Sequence, residues 1–399
     1  MSAMFRSLAG RDYRVWFVGA LVSNIGAWMQ ATAQNWVVLT ELTANDALAV
    51  GITMALQFAP QLLLVPITGL IADRFERRKI LMVTQTCLML LGLALGLLLI
   101  LGHAQLWHLY GFALALGIVN AVDTPARQTF VADLVSGSNM SNAVALNSAS
   151  FNAARMIGPA VAGLVIAAIG TGWAFLLNGA SFVAVLISLA CLRTAELRSN
   201  ARAHRARGSF TEGFRYVWGR PDLRAILVML FVIGTFGLNF SIFISTMAVS
   251  VFHTDAQGYG LLSSCMAIGT VAGALLNASR EKPRFQLLLI GAAVFGLGCT
   301  LAAIAPGYWF FAAALVVTGM AAITVTNTSN SLMQLTTEPA MRGRVMALRV
   351  AIALGGTPIG APIVGWVAGE YGPRWALGIG AAAGFAAALV AVYVLARRR

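Results

Sequence analysis

The sequence predicts an all-α polytopic membrane protein: twelve transmembrane helices in two six-helix pseudo-repeats, with both termini cytoplasmic. Three observations carry this expectation. Of 399 residues, 59% are hydrophobic and only 10% charged, against about 25% charged in a soluble domain, which excludes an ordinary soluble enzyme. The apolar residues gather in long runs, and a bilayer core of about 30 Å takes about 20 residues per helix, so twelve spans use about 240 residues. The basic residues punctuate those runs at alternate connections.

The runs place helices at 15–40, 47–71, 80–101, 106–132, 141–169 and 172–192, then at 223–251, 257–279, 285–305, 308–335, 344–369 and 375–396. The first begins after Arg6, Arg11 and Arg14, and Ala31-Thr32-Ala33 resembles a signal-peptidase site. Apolar sequence continues through Trp36 to Leu39, so a retained first helix is expected rather than a cleaved leader. With both termini inside, the inner segments collect all but three of the 27 basic residues; Arg127 and Arg155 fall within helices and Arg374 falls outside. A formal charge of +13 raises nucleic acid as a partner. A nucleic-acid reader would cluster its Lys and Arg on one soluble face, and here they flank apolar runs instead. Cys87, Cys191, Cys265 and Cys299 lie in such runs without metal-ligand spacing and read as small packing residues.

The two halves repeat. The stretch from Phe5 to Arg14 parallels that from Phe214 to Arg224, and Gly158, Gly163, Gly170 and Trp173 recur 202 positions on as Gly360, Gly365, Gly372 and Trp375. Helix five therefore corresponds to helix eleven. The expected organisation is an N-terminal bundle over 1–192, a basic cytoplasmic linker over 193–222 and a C-terminal bundle over 223–399. The linker reads either as a segment lying on anionic lipid with one amphipathic helix, or as a solvated topogenic loop.

Three motifs carry chemistry. The loop Gly69-Leu70-Ile71-Ala72-Asp73-Arg74-Phe75-Glu76-Arg77-Arg78-Lys79 joins a carboxylate at a helix end to nearby arginines. It resembles the loop between helices two and three of the major facilitator superfamily, with Glu76 where that pattern has glycine. The resemblance implies a conformational latch at Gly69, Asp73, Arg74, Arg77 and Lys79, with Asp133 and Glu338 as acidic partners. A purely topogenic loop would account for the arginines but not for Gly69 with Asp73.

Helix five carries Arg155-Met156-Ile157-Gly158-Pro159-Ala160-Val161-Ala162-Gly163, similar to the Gly-Pro motif of drug and proton antiporters in that superfamily. Pro159 removes a backbone donor, and Gly158 and Gly163 allow close helix approach, which makes these three a hinge motif; ordinary small-residue packing is the alternative. Helix four holds Asn120, Asp123, Thr124, Pro125, Arg127 and Gln128, resembling the branch that includes enterobactin exporters and related multidrug pumps. Asp123 and Arg127 are four residues apart on one face. An ionisable pair within a span points to Asp123 as proton carrier with Arg127 as counter-charge, or to a static ion pair. Arg155, on the face of Ser148 and Asn152, either holds Asp123 or an anionic substrate group, or bonds backbone carbonyls.

A polar lining follows from Asn24, Trp28, Gln30, Gln34 and Asn35 on helix one, Gln57 and Gln61 on helix two, Asn120 and Asn152, and from Asn239, Asn327, Asn330 and Gln334 in the second half. Amides and aromatics suit polarisable organic molecules, and any one amide serves equally as an interhelical bond. Met247, Met266, Met320 and Met333 add adaptable apolar surface. His103, His108, His204 and His253 are scattered, and neither an HExxH motif nor a nucleotide loop occurs, so no cofactor, metal or enzymatic activity is expected.

The resemblance implies a proton-coupled secondary transporter in the cytoplasmic (inner) membrane, exporting an amphipathic small molecule by alternating access. Its partners are that substrate, protons and membrane lipids, without nucleic acid, and it works as a monomer. An uptake permease or lipid flippase of the same fold is the first alternative, and a non-transporting sensor or scaffold the second.

Overall fold

The computed structural model describes residues 3–135, 139–193, 210–279 and 283–397, with the backbone alone at positions 3, 4, 66, 69, 70, 72, 73 and 210. Residues 194–209 of the expected linker therefore lie outside the described residues, as does the side chain of the latch residue Asp73. Among the described residues the regular structure is entirely helical. The helices are α1 (Arg11–Val37), α2 (Ala47–Leu63), α3 (Val65–Arg74), α4 (Arg77–Ile100), α5 (Leu106–Leu134), α6 (Met140–Ile169), α7 (Thr171–Ala190), α8 (Phe210–Trp218), α9 (Pro221–Val232), α10 (Phe240–Thr246), α11 (Ala256–Ala278), α12 (Phe285–Ala303), α13 (Tyr308–Thr336), α14 (Pro339–Glu370) and α15 (Pro373–Arg397).

Two segments expected to be single helices are broken, and each break has a local cause. The run at 47–71 divides at Leu64 (φ −91°, ψ 2°), between Pro60 and Pro66, two residues that bring no backbone donor to the helix ladder. The run at 223–251 passes through π-helical turns at Ile233–Gly237 and Met247–Val251, with Asn239 between α9 and α10 at φ −88°, ψ 42°. There the buried Asn239 amide donates to the Thr235 carbonyl at 2.7 Å, replacing part of the interrupted ladder inside an apolar span. The helix expected from 344 starts at Pro339 instead, because proline is pre-shaped for the first turn and lacks a donor that would go unused there.

Ten helical segments, from α4 to α15, are each long and apolar enough to cross a membrane. Outside those ten, the run of α1 is diluted by Asn24, Gln30, Gln34 and Asn35, and α2 has 17 residues. The exposed surface is apolar where a soluble helix would be polar. On α4, Val83, Leu90 and Leu97 are exposed, and on α12 and its C-cap Ile290, Leu297 and Ile304 are exposed. Seven-residue spacing is two helical turns, so each triplet forms one stripe. Polar residues such as Thr84, Gln85 and Asp123 are buried instead. This inside-out pattern is that of a multi-pass membrane protein.

The chain divides into two compact units. The first comprises Met1–Leu42, Pro60–His204 and Asp255–Leu261; the second comprises Thr43–Ala59, Arg205–Thr254 and Leu262–Arg399. Within the first, a Cβ on Gly158 would collide with Trp28 and Met29 of α1, and one on Gly163 with Ala256 and Gln257 of α11. Gly260 of α11 lies as tightly on the Pro159 carbonyl. Within the second, the repeat partners do the same: Gly360 lies on Thr235, Gly365 on Ala47 and Leu48 of α2, and Gly51 on the Ala361 carbonyl. The 202-residue repeat is thus a repeat of helix contacts as well as of letters.

Candidate functional site

The polar stripe of α5 buries a carboxylate. Asp123 is 3% exposed, next to a core of Trp16, Leu81, Ala126, Phe130, Val185 and Leu189. Arg127, one turn on, places Nε and Nη2 on the Asp123 Oδ2, each at 3.1 Å. The other oxygen, Oδ1, accepts from Thr84 Oγ1 at 2.6 Å and from Gln85 Nε2 at 2.7 Å, both on α4. The outer edge of Arg127 donates through Nη1 to Asn24 Oδ1 on α1 at 3.3 Å. Three hydrogen bonds and the ion-pair contact of Arg127 Nη2 offset much of the cost of removing this carboxylate's charge from water. They also tie α4, α5 and α1 to a single charge.

The helix-four pair was readable from its four-residue spacing. Thr84 and Gln85 were not singled out, although a Thr-Gln-Thr triplet inside the apolar run at 80–101 marks a polar turn facing something. Proximity to Asp123 depends on how α4 packs on α5, which no local spacing encodes.

A second constellation surrounds Arg155 on α6. Its guanidinium lies 5.5 Å from the Trp28 ring centroid, and Trp28 meets Phe151 edge-on at 5.7 Å. Gly158, pressed on Trp28, sets that spacing. Among the described residues no carboxylate pairs with Arg155, and Asp123 is held by the partners named above. A half-buried guanidinium stacked on an aromatic and lacking a counter-ion is able to receive an anion.

The expected amide lining differs in burial from residue to residue. Gln30 accepts from Asn178 Nδ2 at 2.6 Å, an interhelical bond between α1 and α7. Gln34 and Asn35 are buried in α1. Asn152 donates to the Ser148 carbonyl at 2.8 Å. Gln57 and Gln61 on α2 and Asn120 on α5 are half-buried. In the second unit Asn239 is fully buried with its Oδ1 unpartnered, Asn327 is half-buried, and Asn330 accepts from Gln334 at 3.4 Å. Met247, Met266 and Met333 are buried. Arg349, counted in sequence with the inner loop, lies ten residues into α14, donating to the Thr326 carbonyl at 3.3 Å with Nε buried and unpartnered.

Around the predicted latch, Arg77 forms an ion pair with Asp133, Lys79 pairs with Glu76 at 3.2 Å, and Arg74 is exposed. Arg78 donates to the Leu189 carbonyl at the end of α7, at 2.8 Å. Glu338 meets Arg220 at 3.8 Å and Tyr216 Oη at 3.3 Å, both from the α8–α9 region of its own unit. Pro159 is carried inside the continuous α6. One cysteine departs from the packing expectation: Cys191 follows the last turn of α7 and is exposed, because the chain leaves the helix there.

Residues 2–398 match a family model described as transmembrane secretion effector, of the major facilitator type. The enterobactin exporter EntS of Escherichia coli O1:K1 is 24% identical over 396 residues, covering 96% of this chain and 91% of that protein. The staphyloferrin A transporter of Staphylococcus aureus is 26% identical over 266 residues, 66% of each chain. A bacterial homologue of the human lysosomal transporter Spinster, solved in an inward-facing, unoccupied conformation, superposes with a TM-score of 0.71 at 17% identity, covering 96% of this chain and 95% of that one.

Proposed function

Because this chain belongs to the transmembrane secretion effector family of major facilitator transporters, and is a transporter rather than an enzyme, we propose that it exports an amphipathic, siderophore-like small molecule in exchange for protons. Alternating access moves the substrate. α1 and the α2–α3 pair supply the two spans beyond the ten apolar ones, giving twelve, with both termini cytoplasmic and the protein acting as a monomer in the inner membrane.

The observation that carries this reading is the buried Asp123 with its single counter-charge. A carboxylate that takes a proton in an apolar core becomes neutral, its hold on Arg127 weakens, and the links to α4 and α1 rearrange. Arg155 over Trp28 supplies the substrate contact. A cation without a counter-ion next to an aromatic face favours a molecule that presents an acidic oxygen beside an aromatic or apolar body. The kinship with the enterobactin exporter supports the same class and the outward direction.

The test is proton release from purified protein titrated with a catecholate siderophore, a carboxylate siderophore and a lipophilic cation, in wild type and Asp123→Asn. Release by a siderophore from wild type alone is the expected result. Equal release from the variant overturns Asp123 as carrier, and release by the cation alone overturns the anionic substrate. Accumulation of the active compound in inside-out vesicles, driven by acid inside, checks the direction.

A further inference from the structure

Gln85 is fully buried, and its Nε2 donates to Asp123, yet its Oε1 is buried without a hydrogen-bond partner. An orphaned acceptor in a protein interior is costly unless another state of the molecule uses it. Thr84 has a matching ambiguity. Its hydroxyl carries one hydrogen and has two acceptors in reach, Asp123 Oδ1 at 2.6 Å and the Leu81 carbonyl at 3.2 Å. Both side chains touch the same carboxylate oxygen, and both have an arrangement in reserve.

We propose that Thr84 and Gln85 form a two-state hydrogen-bond cradle that holds Asp123 Oδ1 whether or not it carries a proton. With the carboxylate ionised, both residues donate to it. When Oδ1 takes one proton from a solvent hydronium ion, leaving water, the new O–H needs an acceptor. Rotation of the Gln85 amide brings Oε1 to it, or Thr84 Oγ1 accepts while its own hydrogen turns to Leu81. Neither exchange of partners needs any other side chain to accept the new O–H. Arg127 then faces a neutral acid and keeps its bond to Asn24, so protonation shifts it from α5 toward α1.

The charges near this cradle are accounted for. Arg127 alone engages Asp123 among the described residues. On the elements packed against α5, Arg77 is on Asp133, Lys79 on Glu76, Arg78 on the Leu189 carbonyl, Arg155 over Trp28 and Arg11 beside Asp12, while Glu41 accepts from Thr171 and Arg14 and Arg74 are exposed. Thr84 and Gln85 are positioning residues: they act through Asp123 and touch no substrate.

This inference rests on Asp123 as the proton carrier, and the experiment separates the two. The carboxylic C=O infrared band of the purified protein is followed against pH, with Asp123→Asn assigning the band. Gln85→Met and Thr84→Val each remove one donor to the ionised form. The band should then appear about one pH unit higher, a tenfold change in proton affinity, and at higher frequency for the loss of its acceptor. Thr84→Ser keeps the hydroxyl and should behave as wild type. If Gln85→Met does not fold, Gln85→Glu carries the test, since two carboxyls sharing a proton raise the midpoint further. Unshifted midpoint and frequency in folded Gln85 and Thr84 variants overturn the cradle and leave the carrier standing. A titrating band unaffected by Asp123→Asn overturns both.

Discussion

Arg127 and Asp123 form an ion pair whose two members are not equivalent in their loss. Removing Arg127 strands a carboxylate that is 3% exposed, and breaking a buried pair in this way costs about 3–5 kcal/mol. Asp123→Asn keeps one oxygen as acceptor for Thr84 and Gln85, and leaves Arg127 its bond to Asn24 and more contact with solvent than the carboxylate has, so it costs less. Thermal unfolding of detergent-solubilised protein should therefore rank Arg127→Ala below Asp123→Asn, and the double variant should recover much of the loss without recovering transport. Additive losses would show that the pair is not coupled. Trp28 has a separate role. Trp28→Leu removes the aromatic face under Arg155 and should weaken substrate binding by about two- to thirtyfold, from about 0.5–2 kcal/mol of cation–π attraction, while leaving the pH dependence of proton release as in wild type. A shifted pH profile would place Arg155 in the proton path instead.

At the scale of elements, close packing rather than hydropathy decides where helices meet. Gly260 on the Pro159 carbonyl and Gly51 on the Ala361 carbonyl leave no room for a methyl group. Gly260→Ala should lower stability by about 1–3 kcal/mol through overpacking, read as a fall in the unfolding midpoint, whereas Gly111→Ala, with open space at its Cβ, should be neutral or slightly stabilising. Arg374, the one basic residue expected outside, donates to the Ala303 and Ala305 carbonyls at 2.8 and 2.9 Å. These are unsatisfied acceptors at the end of α12, where a cation also favours the helix dipole. This structural task holds whichever side of the membrane Arg374 faces.

For the whole molecule, the exposed apolar stripes and the basic inner segments predict which surfaces face water. In a variant without native cysteines, Gly307→Cys should react with an impermeant maleimide from outside intact cells, and Ser279→Cys only after lysis. The reverse pattern overturns the orientation. Asp73→Asn, in the predicted latch, should lower turnover with little change in substrate affinity, and an unchanged turnover number would remove that role from the loop.

The sequence by itself determined the class of molecule and ten of its apolar spans, because hydropathy and a four-residue ion pair are local properties of the chain. It also marked the repeat, through glycines whose spacing the helix contacts require. It did not reveal the breaks at Leu64 and Asn239, where apolar runs continue through backbone that leaves the α-helix. Only the tertiary structure brought Thr84 and Gln85 to Asp123 and put Trp28 beneath Arg155. It likewise joined Gln30 to Asn178 and buried the Arg349 Nε without a partner. Those pairings join residues on different helices, and their distances are set by side-chain packing between helices that no periodicity along one chain can express.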